Sequence, residues 1–317
     1  MSAIADKKLK EIINFYIDKG ELVTQEAYSL TAETFNRYKR LARKQGILTK
    51  RLESLIQVAE KLTDKELKNM LSVQNNELYK PVIHSFKGET TKFMALSDLH
   101  LGSKFTNDDY ILEALELAEK EKCEFITMGG DIVEGMSGRP GHVYELTHIG
   151  YDAQKTHAIE ILSQSKLPMY MIDGNHDRWF IKSNGAIIVK DICRELKNAT
   201  FLGHDEGDIA LNNCIIRLWH GEDASSYATS YRIQKIVESL SGGDKPAVLL
   251  AAHTHKSIYC FERNVHCFST GAIQRQSKWM RSKRMSSHTG FWIIELTTNS
   301  KTHGIGKTTS TWYPFYV

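Results

Sequence analysis

Met169-Tyr170-Met171-Ile172-Asp173-Gly174-Asn175-His176-Asp177 is an apolar run of strand length that breaks into a glycine and three residues able to bind metal or move protons. Outward from it, the same design recurs four times. Phe93-Met94-Ala95-Leu96 leads to Asp98-Leu99-His100, and Phe125-Ile126-Thr127-Met128 leads to Gly130-Asp131. Ile215-Ile216-Arg217-Leu218-Trp219 leads to His220-Gly221, and Val248-Leu249-Leu250-Ala251 leads to His253-Thr254-His255. Loops at the ends of buried strands are where a rigid sheet positions catalytic groups. A lone Asp-x-His or His-x-His is more often a surface loop or a satisfied core histidine. Five such motifs in a fixed order leave little room for that reading.

Together the motifs resemble the calcineurin-like metallophosphoesterase superfamily, over roughly residues 92–297. The resemblance implies an α/β fold, a two-sheet sandwich flanked by helices with metals at the loop ends. By similarity, Asp98, His100 and His255 would hold one metal, Asn175, His220 and His253 a second, and Asp131 would bridge them. The nucleophile would be a metal-bridging hydroxide. His176 takes the position that protonates the leaving oxygen, Asp177 would orient that imidazole, and Arg178 would meet a substrate phosphate. Two divalent ions about 3.5–4 Å apart suit in-line phosphoryl displacement. Imidazole and carboxylate ligands without thiolate leave Mn2+, Fe2+, Zn2+ and Mg2+ open, with Mn2+ the first choice.

The substrate is read from departures within that family. Protein phosphatases of this fold carry Asp-Arg-Gly after the bridging carboxylate and Glu after the Asn-His pair. This chain has Val133-Glu134-Gly135 and Asp177. Residues 130–136, followed by Arg139-Pro140-Gly141-His142 and Glu145-Leu146, are similar to the proofreading small subunit of archaeal family D DNA polymerases. The Gly-Asn-His-Asp box also resembles double-strand-break-repair nucleases. His220-Gly221 followed by Tyr227-Ala228-x-Ser230-Tyr231-Arg232 resembles phage-encoded metallophosphoesterases. Ala252 stands where the family has Gly before His-x-His, a small change in the turn. His142 and His148, in the loop after Asp131, are further candidates to face substrate.

The first 75 residues contain no proline and two glycines. Leu9, Ile12, Ile13 and Tyr16 recur at helical spacing up to Lys19-Gly20. Thr24 is placed to cap a short helix, and Thr31 to cap a second over 32–44. Two short helices joined by Ser29-Leu30-Thr31 predict a small all-α helix-turn-helix domain over 1–75. Residues 76–91 read as linker and entering strand, and 92–317 as the phosphoesterase domain. Between Arg37 and Arg51 lie seven basic residues and no acidic one. Arg37, Lys39, Arg40, Arg43 and Lys44 are therefore candidate phosphate contacts, because backbone phosphates dominate nucleic-acid affinity. The plain alternative is a solvated helix face. A further amphipathic helix over 52–73 would pack the bundle or mediate self-association or a protein contact. In the second domain, helices are expected over 108–122, 150–163, 184–196 and 225–239, with hairpin strands after His255.

A second basic cluster, Arg275, Lys278 and Arg281 with Lys283 and Arg284, is interleaved with Gln274, Gln276 and Trp279. Cations with an aromatic suit a single-stranded backbone and a stacked base; the alternative is a solvated loop. Net charge is only +3, so attraction to nucleic acid must be local. No apolar stretch has the length of a membrane span. The five scattered cysteines lack any Cys-x-x-Cys pair, which fits a reducing cytosol, and the resemblance to phage-encoded enzymes implies the cytoplasm of a bacterium or a phage-infected cell. The expectation is a two-metal phosphodiesterase cleaving nucleic acid, DNA first. Its rivals are a phosphoesterase for a small nucleotide or cyclic dinucleotide, and a DNA-binding accessory protein with a silent metal site.

Overall fold

The computed structural model describes residues 6–48, 82–83, 89–211, 214–222, 228–241, 244–299 and 304–316. The chain divides into two compact units, Met1–Leu78 and Tyr79–Val317. The helix expected over 52–73 lies outside the described residues.

In the first unit, α1 (Asp6–Lys19) buries Leu9, Ile12, Ile13 and Tyr16, its i, i+3, i+4, i+7 stripe, against Phe35, Ala42 and Leu48. The Tyr16 and Phe35 rings meet edge to face at 5.2 Å. Thr24 does not cap a helix. The chain turns at Gly20 (φ 85°), which frees α2 (Glu21–Ala27) to begin earlier, and Thr24 sits inside it with Oγ1 donating to Gly20 O. Thr31 does cap α3 (Ala32–Lys44), accepting from Thr34 N.

The second unit is built on two six-stranded sheets. The first contains β2 (Thr90–Leu96), β3 (Phe125–Met128), β4 (Met169–Asp173) and β5 (Ala199–His204), all parallel, with β11 (Gly290–Asn299) antiparallel to β2 and β12 (Gly304–Pro314) at the edge. The second has the order β1 (Val82–Ile83), β6 (Glu206–Leu211), β7 (Cys214–Trp219), β8 (Val248–Ala251), β10 (Val265–Thr270), β9 (Ser257–Glu262). Phe93, Phe125 and Ile172 from one sheet join Ile216, Leu218, Leu250 and Phe268 from the other in one buried core. Each such aromatic or aliphatic side chain contributes about 1.5–3 kcal/mol by leaving water.

Helices α4 (Asp108–Lys120), α5 (Tyr151–Leu162) and α7 (Ile188–Glu195) share the core on the other face of the first sheet. The helix expected over 184–196 is two helices, α6 (Trp179–Asn184) and α7. Gly185 takes a left-handed φ of 75° and ends the first. On the second sheet, α8 (Tyr231–Ser239) packs Ile233 and Val237 on Leu249, Ala251 and Cys267. It starts later than the expected residue 225, and residues 223–227 lie outside the described part. Strands β2, β3, β4, β7 and β8 all deliver their chain ends to one rim, the carboxyl end where open parallel sheets bind ligands. Among the described residues no helix is long and apolar enough to cross a membrane.

Candidate metal centre

The five motifs occupy the loops directly after β2, β3, β4, β7 and β8, and the folds of these loops are demanding. Asp98, His100, Asp131, His253 and His255 all hold positive φ, between 50° and 74°. Side-chain-bearing residues pay about 1–2 kcal/mol for that region. Such strain persists where the surroundings over-determine it, which is characteristic of functional sites. Two glycines make the loops possible. A Cβ on Gly130 would lie 2.6 Å from His220 Nδ1, and one on Gly174 would run into Asp131 Oδ1.

The seven side chains converge as two groups about one carboxylate. His255 Nε2 lies 3.3 Å from Asp98 Oδ1 and 3.2 Å from His100 Nε2. His220 Nε2 lies 3.1 Å from Asn175 Oδ1. Asp131 Oδ2 stands between the groups, 3.3 Å from His220 Nε2 and 3.7 Å from His100 Nε2. Asp98, His100 and His255 offer ligand atoms within 4.8 Å of one another, as do Asp131, His220 and His253. Donors about 2.1 Å from a shared ion sit about 3.0–3.4 Å apart, so these spacings fit. The fit has a second sign. Asp98 Oδ1 is buried without a hydrogen-bond donor. A buried carboxylate oxygen left unpaired is costly unless a cation completes it. Oxygen and imidazole donors without thiolate suit divalent Mn, Fe, Zn or Mg.

Two of the imidazoles are aimed from behind. His220 Nδ1 donates to Gly129 O at 2.8 Å, and His100 Nδ1 lies 2.9 Å from Glu134 Oε2. Fixing one nitrogen in this way leaves Nε2 directed inward. Asp98 is anchored through its backbone: Ile273 N and Gln274 N donate to its carbonyl at 3.1 and 3.2 Å. The electrostatics show the crowding. Burial disfavours charge on His100, but Glu134, then Asp131 and Asp98, lift it to about 9. His220 is likewise raised to about 9, Asp131 overcoming burial. Burial, with His220 close by, drops His253 to about 4. Burial followed by the Asp131 charge raises Asp177 to about 7.

His176 lies beside this group, its ring 4.5 Å from that of His100. Its Nδ1 donates to Glu134 O at 2.8 Å and its N to Asp131 Oδ1 at 2.8 Å. Asp177 does not orient that imidazole, contrary to expectation. Its carboxylate is buried and accepts from the backbone N–H groups of Gly174, Ile132 and Val133, tying the loop after β4 to the loop after β3. The carbonyl of Glu134 holds His176 instead. Arg178 also departs from expectation. Its guanidinium is committed to Asp173, Asp205 and Glu222, so it is an internal clamp and not an open phosphate ligand.

Three residues named in the sequence reading, Arg232 as a candidate border of the cleft, turn out to be supports, a role that reading did not assign. Glu134 is buried, with Oε1 2.9 Å from His142 Nε2 and Oε2 accepting from Gln274 Nε2 at 2.7 Å. Its position three residues past Asp131, in the same turn, was the available signal. Gln274 completes that network. Arg232, on α8, is buried and stacks 4.4 Å over Trp219. It donates to His220 O and Ala252 O, both at 2.8 Å, and so joins the loops carrying His220 and His253. Of the two loop histidines, His142 lines the cleft while His148 stacks on His157 at 3.9 Å.

The centre opens into a cleft of about 320 Å³, bordered by His100, Asp131, Asn175, His176, His253 and His255 on its polar part. Trp279 lines it too. Arg275, Lys278 and Arg281, from the same segment, are exposed around α9 (Lys278–Ser282). In the N-terminal unit, Arg37, Arg40, Arg43 and Lys44 are exposed on α3. Lys39 is not a phosphate contact. It is buried, with Nζ 2.7 Å from Glu21 Oε2 and 5.0 Å from the Phe35 ring centre, because the helical period turns it inward.

Residues 91–257, just over half the chain, match the calcineurin-like phosphoesterases, and the chain belongs to that family. Fold and ligand cluster together support a metal-dependent hydrolase. A curated relative is the DNA polymerase II small subunit of Methanothermobacter thermautotrophicus, 21% identical over 254 residues. The match covers 65% of this chain, which spans about half (52%) of that relative. Similar solved structures include a novel archaeal phosphodiesterase (15% identity, 70% of this chain and 100% of that one, TM-score 0.41). Others are the Escherichia coli phosphoesterase YfcE (15%, 69% and 98%, TM-score 0.39) and Vps29 of Cryptosporidium parvum (13%, 71% and 98%, TM-score 0.40).

Proposed function

We propose that the protein is a two-metal phosphodiesterase that hydrolyses nucleic acid, DNA in the first instance. The observation that carries this reading is the convergence of seven ligand-type side chains about Asp131 Oδ2. Asp98, His100 and His255 would hold one divalent ion and Asn175, His220 and His253 the other, with Asp131 between the two groups. Bound there, two such ions supply Lewis acidity at the phosphoryl oxygens and lower the pKa of water. Manganese is the metal to assay first.

The remaining chemistry belongs to the chain. The Glu134 carbonyl can only accept, so it keeps the hydrogen on His176 Nδ1. The proton exchanged with the leaving oxygen therefore moves at Nε2. The imidazolium carries that proton on Nε2, and burial, which holds His176 below its ordinary pKa, eases its release to the leaving oxygen and leaves the neutral ring with its hydrogen on Nδ1. Exposed Arg275, Lys278 and Arg281 beside the cleft attract the polyanion, and Arg37, Arg40, Arg43 and Lys44 on the helix-turn-helix-like N-terminal helices add phosphate contacts. The match to a polymerase subunit supports a nucleic-acid partner over a phosphoprotein.

The test is cleavage of end-labelled single- and double-stranded DNA by the full chain with manganese, beside an Asp131→Asn control. Cleavage by the wild type that is lost in the control is the expected result. Absence of cleavage, with hydrolysis of small diesters intact, would replace the nucleic-acid substrate by a small nucleotide.

A further inference from the structure

The cleft has two unlike linings. Its polar part is the ligand cluster, and phosphoryl transfer needs nothing more. Its apolar part is made by Trp179, Trp279, Met280 and Met285. The Trp179 ring lies 4.0 Å from that of His176, so the apolar surface begins at the proton-transfer position. Trp279 is 42% exposed, although a free indole face gives up hydrophobic stabilisation. The backbone that carries it is well fixed. Ser277 Oγ accepts from Met280 N at 3.2 Å, Gln276 Nε2 donates to Met285 O at 2.7 Å, and the preceding residues donate to Asp98 O. An exposed indole on a backbone held through a few residues to a ligand loop is a surface suited to a flat partner.

The size and charge of the surroundings narrow that partner. About 320 Å³ is at the small end of ligand cavities, room for a single nucleotide and not for stacked base pairs. Arg139 lines the cleft, and Arg275, Lys278 and Arg281 are exposed on the segment that carries Trp279, which favours an anionic partner. Methionines adapt to ring systems of different outline, and every base has a face to stack. A base inside a duplex cannot reach such a pocket without leaving the stack.

We infer that the apolar part of the cleft is a nucleobase slot, in which Trp279 with Met280 and Met285 stacks one unpaired base while the adjoining cluster holds its phosphate. This rests on the phosphodiesterase reading and narrows its substrates to those carrying an unpaired base. The base belongs to a single strand or to a free nucleotide.

The test measures binding to the full chain with manganese, read by tryptophan fluorescence and calorimetry. The probes are deoxyadenosine 5′-monophosphate, 2-deoxyribose 5-phosphate, which lacks only the base, and an eight-residue deoxyadenylate. Trp279→Ala and Trp279→Phe are compared with the wild type; the ring is exposed, so its removal opens no core. The base should strengthen wild-type binding about tenfold, the scale of one base–aromatic stack. That gain should vanish in Trp279→Ala and largely return in Trp279→Phe. A gain of equal size in all three proteins, or none in the wild type, overturns the slot. Tighter binding of the oligonucleotide, weakening with salt, assigns the base to a strand; equal binding assigns it to a free nucleotide. Hydrolysis of methyl p-nitrophenyl phosphate by the wild type tests the other reading separately. Hydrolysis without base-dependent binding removes the slot alone, and base-dependent binding without hydrolysis removes the phosphodiesterase and leaves a nucleotide site.

Discussion

Two surfaces of this chain are candidates to meet phosphate, and they are made in opposite ways. Around Asp131, the loops accept left-handed backbone at five candidate ligand positions and fix several of the functional groups with a second one. His220 is held by Gly129 O, His100 by Glu134, and two of the loops are joined by Arg232. On α3 the backbone is ordinary helix, capped by Thr31, and Arg37, Arg40, Arg43 and Lys44 project into solvent. The first surface is held by the chain's own hydrogen bonds. The second offers charge on flexible stems. A substitution in the first should therefore change chemistry or metal affinity by large factors, and one in the second should change only the response to salt.

The sharpest test of the first surface separates its parts. His176 offers a ligand atom within 4.8 Å of those of His100 and Asp131 but belongs to neither proposed ligand set, so in His176→Ala two manganese ions per chain should remain by metal analysis. Turnover should nevertheless fall by about 10²-fold, the scale of general acid–base catalysis. Loss of a metal together with turnover would mean that His176 is a ligand and that the division drawn above is wrong.

Arg232→Met probes the staple between the His220 and His253 loops with a smaller effect. Losing a hydrogen-bonded support behind metal ligands weakens affinity by about 10- to 100-fold. Manganese titration followed by electron paramagnetic resonance should resolve one unchanged ion and one weakened ion. Arg232→Lys should recover little, since a lysine keeps the charge but lacks the planar fork for two carbonyls and the face for Trp219. Two unchanged ions would show that strained loops hold their shape unaided.

The same contrast explains what was legible in the sequence. The convergence of the candidate metal loops was readable because such chemistry needs residue types that few other contexts supply in that order, and each followed an apolar strand. The supports were not. Glu134 and Arg232 look like surface charges in one dimension, and only the folding of separate loops onto one another buries them. Asp177 was misread for a related reason. Adjacency to His176 suggested a partner, but its carboxylate points at three backbone N–H groups of neighbouring loops. On α3 the error ran the other way. A run of like charges hides the helical period that turns Lys39 inward to Glu21. The start of α3 and the buried face of α1, by contrast, followed from the Thr31 cap and the helical stripe.

The smallest expected effect belongs to that exposed helix. Arg40 and Lys44 lie four residues apart on α3, on one face, and both are exposed. If each meets one phosphate, Arg40→Ala with Lys44→Ala should make the slope of log affinity against log salt shallower by about two, since each contact releases about one counterion. Fluorescence anisotropy with a labelled duplex, from low to moderate salt, measures this directly. Hydrolysis of a small diester should stay at the wild-type rate, because neither residue belongs to the metal centre. An unchanged slope would make the basic face of α3 solvated decoration and leave the cations around α9 as the chain's grip on a polyanion. A shallower slope would show that one chain meets phosphate twice, once through exposed charge that needs no fixed geometry and once through a centre that depends on it.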